Sequence, residues 1–192
     1  MFKFGITKMK LVKNTWSDIE DAADNIIIQM YADMWRPDYI VGITRGGLIL
    51  ATILSHKLSI RMETLKVKLT NAADNENNES NTWMSEDAFG YNLPTSGITG
   101  ARWDIKQRKN ILIVDDFSDT GATFNWIKKD WQSSCFPNNP SWDTVWHRNV
   151  KFAVMTEYLS SAYDNVDYSY QLVDNSLTHT QYTYPYEYKG TK

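Results

Sequence analysis

One segment, ILIVDDFSDTGAT at residues 111–123, constrains the fold of this chain more than any other. Its first four residues are apolar, β-branched or Leu, and too few for a helix, which predicts a strand buried on both faces. Two carboxylates, Asp115 and Asp116, follow that strand. Residues 122–131 then carry apolar side chains at helical spacing, so the segment predicts a strand, a loop and a helix in that order.

The loop between that strand and that helix has the properties of a phosphate site. A helix N-terminus presents unpaired backbone N–H groups and about half a positive charge, which stabilises an anion without any lysine. Gly121 lets the backbone approach a ligand closely, and the hydroxyls of Ser118, Thr120 and Thr123 add donors. The two carboxylates instead need donors or a cation, which ribose hydroxyls and Mg²⁺ supply. Together these residues predict a site for a ribose 5-phosphate.

The segment VDDFSDTGAT resembles the 5-phosphoribosyl-1-pyrophosphate (PRPP) signature of the type I phosphoribosyltransferases, over a long and ungapped match. The resemblance implies that Asp115 and Asp116 bind the ribose hydroxyls and Mg²⁺, directly or through water. It implies that Asp119 lies near the base and assists proton transfer at the purine ring. It also assigns the 5-phosphate to the loop residues Ser118, Asp119, Thr120, Gly121, Ala122 and Thr123. The alternative interpretation is an acidic surface turn between a core strand and a helix.

A second strand, loop and helix are predicted within residues 39–58, with the strand over 39–43 and the helix over 48–58. Paired glycines alone usually mark only a turn, but their place here resembles the pyrophosphate loop of the same family. The resemblance implies that Thr44, Arg45 and Gly46 surround the pyrophosphate of PRPP, with a non-proline cis peptide before or after Arg45. The alternative for Arg45 is a solvated side chain at a helix start, where the helix dipole would oppose it.

Residues 70–104 lose periodicity and are rich in Asn, Asp, Glu, Ser, Thr and Gly. A loop this long inside a domain is either functional or disordered. In the resembling enzymes a mobile flap occupies this place and excludes water from the reaction, which implies a flap over 70–104. Arg102 is then a candidate donor to pyrophosphate, with a salt-bridged surface arginine as an equal alternative.

The sequence pattern predicts the structure of the remaining segments less definitely. The N-terminal segment MFKFGITKMKLVKNTW is mixed in character and predicts an irregular arm. From Thr15 onward an amphipathic helix is predicted, ending before Pro37, with Ser17 and Glu20 at capping-box spacing and Thr15 as the alternative cap. Further strands are expected over residues 61–69, 151–156 and 168–173. One ordered connecting loop is expected over residues 133–149.

The tail Tyr184-Pro185-Tyr186-Glu187 resembles the Phe-Pro-Trp-Glu ending of bacterial and phage purine phosphoribosyltransferases, which is part of the hood over the base. In that ending an aromatic residue four positions before the proline stacks on the purine, whereas this chain has Gln181 there, followed by Tyr182. The family lysine that donates to a 6-oxo group has no counterpart in Thr-Glu-Tyr at 156–158. Tyr158 or backbone groups are therefore candidates to replace it, and the base half of the site is altered while the PRPP half is intact.

Composition limits the remaining classes of function. The chain has 192 residues, of which 42% are hydrophobic, which suits one domain over 1–192. A net charge of −3 argues against a nucleic-acid surface. The single cysteine, Cys135, excludes an internal disulfide, and the absence of a long apolar run predicts no signal peptide or membrane span, so a reducing cytoplasm is expected. His56 and His147 lack a second ligand at metal spacing, so no zinc site is predicted.

The resemblance covers residues 15–187 and lies closest to the xanthine-guanine group of phosphoribosyltransferases. It implies an α/β type I phosphoribosyltransferase fold, with a twisted, mainly parallel sheet, helices on both faces, the flap, and a small hood formed by the N-terminal arm and residues near 174–192. It further implies a homodimer or homotetramer. The implied reaction transfers 5-phosphoribosyl with inversion from PRPP to a nucleobase, a 6-oxopurine such as guanine, xanthine or hypoxanthine, giving a nucleoside 5′-monophosphate and pyrophosphate.

Three alternatives to that function remain open at this point. The first is a non-catalytic protein on the same fold that senses PRPP or a nucleotide, which the altered base contacts favour and the intact Asp119 opposes. The second is a Rossmann-like or flavodoxin-like phosphate-binding module, although the Gly-x-Gly-x-x-Gly turn of a dinucleotide site is lacking. The third is a hydrolase or phosphotransferase with Asp115 as nucleophile, which the Asp-Thr-Gly-x-Thr continuation disfavours.

Overall fold

Strands and helices alternate along most of the chain. The computed structural model describes residues 10–69, 78, 81–91, 103–159, 166–174 and 180–187. The elements are β1 Lys10–Lys13, α1 Trp16–Ala32, β2 Tyr39–Ile43, α2 Gly47–Leu58, β3 Met62–Leu65, α3 Thr82–Phe89, β4 Ile111–Ser118, α4 Ala122–Ser134, β5 Val150–Tyr158, β6 Tyr168–Val173 and β7 Thr180–Thr183. Short 3₁₀ turns lie at Ile105–Gln107 and Pro140–Thr144. None of the described helices is long and apolar enough to cross a membrane.

Five of the strands form one parallel sheet in the order β3-β2-β4-β5-β6. Strand β4 is therefore central, with β2 and β5 bonded to its two edges. The C-terminal ends of all five strands lie along the same edge of the sheet, which is where ligands bind in open α/β sheets. The predicted α/β class and parallel sheet are confirmed.

Side chains of β4 alternate between two hydrophobic clusters, one on each face of the sheet. Ile111 and Ile113 pack with helices α3 and α4, whereas Leu112 and Val114 pack with α1 and α2. All four side chains are fully buried. Burial on both faces accounts for the continuous apolar run in this strand, and helices cover both faces as predicted.

Helix α3 lies inside the stretch 70–104, for which the sequence pattern predicted no regular structure, and for residues 82–89 that prediction is wrong. Met84, Ala88 and Phe89 share one side of the helix and are buried. The ring of Phe89 lies 4.9 Å from that of Trp142 and 5.2 Å from that of Phe136, between centroids. Three apolar residues within eight were enough for a core helix, although polar residues dominate its surroundings.

The bounds of several strands differ from the predicted ranges, because pairing across the sheet, rather than local composition, decides where a strand ends. The strand expected over 61–69 is limited to β3, while β4 and β5 extend beyond 111–114 and 151–156. Part of the segment predicted as an irregular arm is strand β1, which pairs in parallel with β7 as a separate two-stranded sheet. The predicted connecting loop after α4 contains a 3₁₀ turn.

Helix α1 begins with a capping box formed by Thr15 and Asp18. The Thr15 hydroxyl accepts from the Asp18 N–H at 3.2 Å, and the Asp18 carboxylate accepts from the Thr15 N–H at 2.6 Å. Hydrogen bonds from the Thr15 hydroxyl and backbone lower the pKa of Asp18. The helix is therefore capped by Thr15, which was the alternative prediction. The capping box predicted from Ser17 and Glu20 is wrong, because Asp18 serves at the third helical position in place of the usual Glu or Gln.

We expect Thr15→Ala to lower the free energy of unfolding by about 1 kcal/mol, because the helix N-terminus loses its capping hydroxyl. Urea denaturation measures this change. The matched control is Ser17→Ala, an exposed first-turn position that is expected to stay within about 0.5 kcal/mol of the parent. Equal losses in the two variants would contradict the assignment of the cap to Thr15.

Candidate active site

The C-terminal end of β4 and the N-terminus of α4 enclose a cavity of about 220 Å³. Gly121, at the N-cap of α4, has a positive φ of 72°, which a residue with a side chain rarely adopts. The lining of this cavity contains seven of the residues predicted to bind the phosphoribosyl group, namely Asp115, Ser118, Asp119, Thr120, Gly121, Ala122 and Thr123. The structure therefore brings seven of the eight predicted residues around one space, and Asp116 is absent from this lining.

Donors in this loop are available to an anion. The Ser118 hydroxyl is buried and makes no hydrogen bond within the described part of the chain. Thr120 accepts from the Ala122 N–H at 3.3 Å, which leaves its own proton free to point into the cavity. A polar ligand in this loop would supply the Ser118 hydroxyl with the partner that buried polar groups usually have.

Asp115 and Asp116 lie side by side at the inner wall of the site. The Asp115 carboxylate accepts from the Asp116 N–H at 3.0 Å and from the Gly47 N–H. Burial raises the pKa of Asp115 well above its usual range, and the charge of Asp116 raises it further. Burial also raises the pKa of Asp116, against hydrogen bonds that lower it. Two carboxylates in this setting favour a bound cation or several hydroxyl donors, and one or two carboxylates are the usual protein ligands of Mg²⁺.

The loop between β2 and α2 lies against these carboxylates. It contains a cis peptide bond between Thr44 and Arg45, as predicted. A Cβ atom on Gly46 would lie 2.0 Å from Oδ2 of Asp116, so the absence of a side chain there lets the loop touch the carboxylate. The Arg45 side chain is exposed. The residues predicted to bind pyrophosphate thus adjoin the predicted ribose residues, whereas Arg102 lies outside the described residues.

Two tyrosines of the C-terminal tail contact Asp116, one at its carboxylate and one at its main-chain oxygen, and no sequence pattern indicated these contacts. The Tyr186 hydroxyl donates to Oδ2 of Asp116 at 2.9 Å. The Tyr184 hydroxyl lies 3.1 Å from the main-chain oxygen of Asp116 and 3.1 Å from Oγ1 of Thr156. The tail therefore packs on the end of β4 that carries Asp116.

A second, larger cavity of about 610 Å³ adjoins the first and shares Phe117 and Asp119 with it. Its other lining residues are Asp116, Tyr158, Thr180, Gln181, Tyr182, Tyr184 and Glu187. The three residues predicted for the base, Tyr158, Gln181 and Tyr182, are among them. The Tyr158 hydroxyl donates its proton to the Thr180 carbonyl, so that proton is not available to a ligand. The Tyr158 ring forms part of the cavity wall and lies edge-on to Phe117, with 4.8 Å between ring centroids.

Residues 14–186 match the model of the phosphoribosyl transferase domain family. This chain belongs to the phosphoribosyltransferase family. The xanthine-guanine phosphoribosyltransferase of Cereibacter sphaeroides is 34% identical over 96 residues, which cover 49% of this chain and 46% of that protein. The matched segment thus spans about half the length of this relative.

Solved structures of phosphoribosyltransferases share this fold. A purine phosphoribosyltransferase from Pyrococcus horikoshii superposes with a TM-score of 0.58 at 23% identity, covering 96% of this chain and 99% of that one. A xanthine-guanine-hypoxanthine phosphoribosyltransferase from Helicobacter pylori gives a TM-score of 0.56 at 14% identity, covering 91% of each chain. A Neisseria gonorrhoeae protein solved with bound ppGpp superposes with a TM-score of 0.58 at 17% identity. The match covers 97% of this chain and 93% of that one. The type I phosphoribosyltransferase fold expected from the sequence is confirmed.

We expect Gly47→Ala to destabilise this phosphoribosyltransferase by about 1–3 kcal/mol, as overpacking does. The new Cβ would lie 2.4 Å from the main-chain oxygen of Val114, and the central strand cannot easily move. Thermal and urea unfolding measure the loss. Gly46→Ala is the comparison, since its Cβ would meet the side chain of Asp116, which can rotate away, so a smaller loss is expected. A fully stable Gly47→Ala protein would contradict the close contact of the two segments.

Proposed function

We propose that this protein transfers the 5-phosphoribosyl group of PRPP to a purine base and releases a nucleoside 5′-monophosphate and pyrophosphate. The observation that carries the proposal is the convergence of two loops and two cavities on Asp115 and Asp116. One loop offers a helix N-terminus and a buried hydroxyl to a phosphate, and the other touches the same carboxylates. The family match over residues 14–186 supports it.

In this proposal the first cavity holds the ribose 5-phosphate. Backbone N–H groups at the start of α4 bind the phosphate oxygens, and the Ser118, Thr120 and Thr123 hydroxyls add donors. Asp115 and Asp116 accept from the ribose hydroxyls and fix the sugar, so that C1 faces the second cavity. The Ser118 hydroxyl, which makes no hydrogen bond to the described residues, would thereby gain a partner.

The pyrophosphate of PRPP is assigned to the loop that contains Thr44, Arg45 and Gly46. The exposed Arg45 guanidinium and the backbone N–H groups of this loop would bind the leaving group, and Arg102 is proposed to join them. Asp115 and Asp116 fit a Mg²⁺ ion, which when bound neutralises charge on the leaving pyrophosphate. Transfer at C1 is expected to pass through an oxocarbenium-like transition state with inversion.

The base is assigned to the second cavity, opposite the pyrophosphate loop. Asp119 lines both cavities, which suits a group that accepts the proton from the attacking base nitrogen. Gln181, Tyr182 and Tyr158 are proposed to contact the base. A 6-oxopurine remains the proposed acceptor, with its oxo group recognised by backbone or hydroxyl donors because the Tyr158 proton is held by Thr180.

The wider organisation is part of the same proposal. The chain is proposed to be one domain over 1–192, with a flap formed from parts of 70–104 other than α3 and a hood built on the β1–β7 sheet. Assembly as a homodimer or homotetramer and residence in a reducing cytoplasm are proposed by analogy with the family. Neither nucleic acid nor a membrane is a proposed partner.

The first test offers guanine, xanthine, hypoxanthine, adenine, uracil and orotate separately, with PRPP and Mg²⁺, and measures nucleotide formation. We expect turnover of at least one purine and a loss of about 10²-fold or more in Asp119→Asn, because the general base is removed. Calorimetric PRPP binding should survive in that variant.

Two results would contradict the proposal in different ways. If the protein binds PRPP but turns over no base, it is a sensor rather than a salvage enzyme. If Asp119→Asn keeps full activity, the reaction stands but the proton acceptor is another group.

Removal of divalent cations should abolish turnover, because the leaving pyrophosphate then keeps its full charge beside two carboxylates. EDTA is added to the assay, and Mg²⁺ in excess over EDTA is expected to restore the rate. EDTA premixed with excess Mg²⁺ serves as the control for effects of the chelator itself. Undiminished turnover in EDTA would rule out the proposed role of the cation.

A further inference from the structure

The Asp116 carboxylate is a junction between three parts of the site. On one side it lies against Gly46 of the predicted pyrophosphate loop, so closely that a Cβ atom there would meet its Oδ2 at 2.0 Å unless the carboxylate moved. On another side it accepts the hydroxyl of Tyr186, which comes from the C-terminal tail 70 residues further along the chain. Its own backbone belongs to β4. A change in the position of Tyr186 is therefore transmitted directly to a predicted ribose ligand.

Tyr186 is itself held by rigid neighbours. Its ring stacks on that of Tyr184 with 5.5 Å between centroids and an interplanar angle of 4°. The ring of Trp16, at the start of α1, lies 6.2 Å away on another side. The Asn14 N–H donates to the carbonyl of Thr183 at 2.8 Å, which ties the start of α1 to the tail. The hydroxyl is thus held in place by aromatic contacts before any ligand binds.

The chemistry of the bond suits a positioning role. A carboxylate carries about four acceptor positions on two oxygens, so the bond to Oδ2 leaves Oδ1 able to accept from a ligand. The Phe-Pro-Trp-Glu ending that this tail resembles has no hydroxyl at either aromatic position, whereas Tyr-Pro-Tyr-Glu has two.

We propose that Tyr186 is a positioning residue for PRPP, which fixes Asp116 through its hydroxyl and so couples the tail beside the base cavity to the ribose site. This inference rests on the proposed function and deepens it. Without the hydroxyl, Asp116 samples other rotamers. The apparent affinity for PRPP then falls in proportion to the fraction of molecules in which Asp116 keeps the rotamer that binds PRPP. The tail then acts on ribose binding as well as on the base.

The test is Tyr186→Phe, which keeps the ring and its stacking but removes the hydroxyl. Calorimetry with PRPP and Mg²⁺ should show a Kd raised by about tenfold, as expected for loss of a hydrogen bond to a charged group. The KM for the base at saturating PRPP should change little, because the ring still lies in place. Tyr170→Phe is the matched control, since Tyr170 packs against the same hydrophobic cluster but lines neither cavity.

A double-mutant cycle separates positioning from general damage. Urea unfolding without ligand is compared for the parent, Tyr186→Phe, Asp116→Ala and the double variant. If the hydroxyl acts through Asp116, its removal destabilises the parent but not the Asp116→Ala protein. Equal destabilisation in both backgrounds would mean that the hydroxyl acts elsewhere, and would overturn the inference.

The binding results distinguish failure of the inference from failure of the function. If the parent protein binds no PRPP in the presence of Mg²⁺, the proposed function is wrong. If the parent binds PRPP and Tyr186→Phe binds it equally well, the function stands and the positioning role of Tyr186 is refuted. A tenfold loss in Tyr170→Phe as well would also refute it, because the effect would not be specific to the hydroxyl on Asp116.

Discussion

Burial of β4 on both faces is the constraint on which the site depends. Its backbone is paired on both sides by β2 and β5, and its apolar side chains are fixed in two separate cores, so a shift in register would break both at once. Asp115 and Asp116 follow this apolar run within the same strand, and Asp115 still pairs with Val154 of β5. Their position is thus set by the core of the protein, which is far stiffer than a surface loop.

Adjacent groups of opposite electrostatic character follow from the same strand-to-helix connection. The N-terminus of α4 favours an anion, while the two preceding carboxylates favour hydroxyl groups or a cation. Only a few residues separate these preferences, so a ligand that joins a phosphate to a polyhydroxyl ring satisfies both. The glycines at 46 and 47 then let a second helix start approach the carboxylates without a side chain between them.

The sequence predicted what local pattern determines and missed what distant contacts determine. The two strand-loop-helix units were predictable because each is signalled within about 20 residues by hydrophobic runs, glycines and hydroxyls. The bond from Tyr186 to Asp116 was not, because it joins residues 70 apart whose types alone say nothing about contact. Helix α3 was missed because its three core residues stand in a polar stretch, and β1 because its partner β7 lies near the other end of the chain.

The two halves proposed for the site, one for the phosphoribosyl group and one for the base, differ in how strongly the fold determines their positions. The phosphoribosyl half is built from β4, α4 and the start of α2, all packed into the cores. The base half is built largely from the end of β5, strand β7 and the tail, and β7 pairs only with β1 among the described strands. Most of the side chains that line the second cavity thus come from elements outside the first, while Phe117 and Asp119 line both. The hydrogen bond from Tyr186 to Asp116 is therefore significant, because it links the tail directly to the strand at the centre of the sheet.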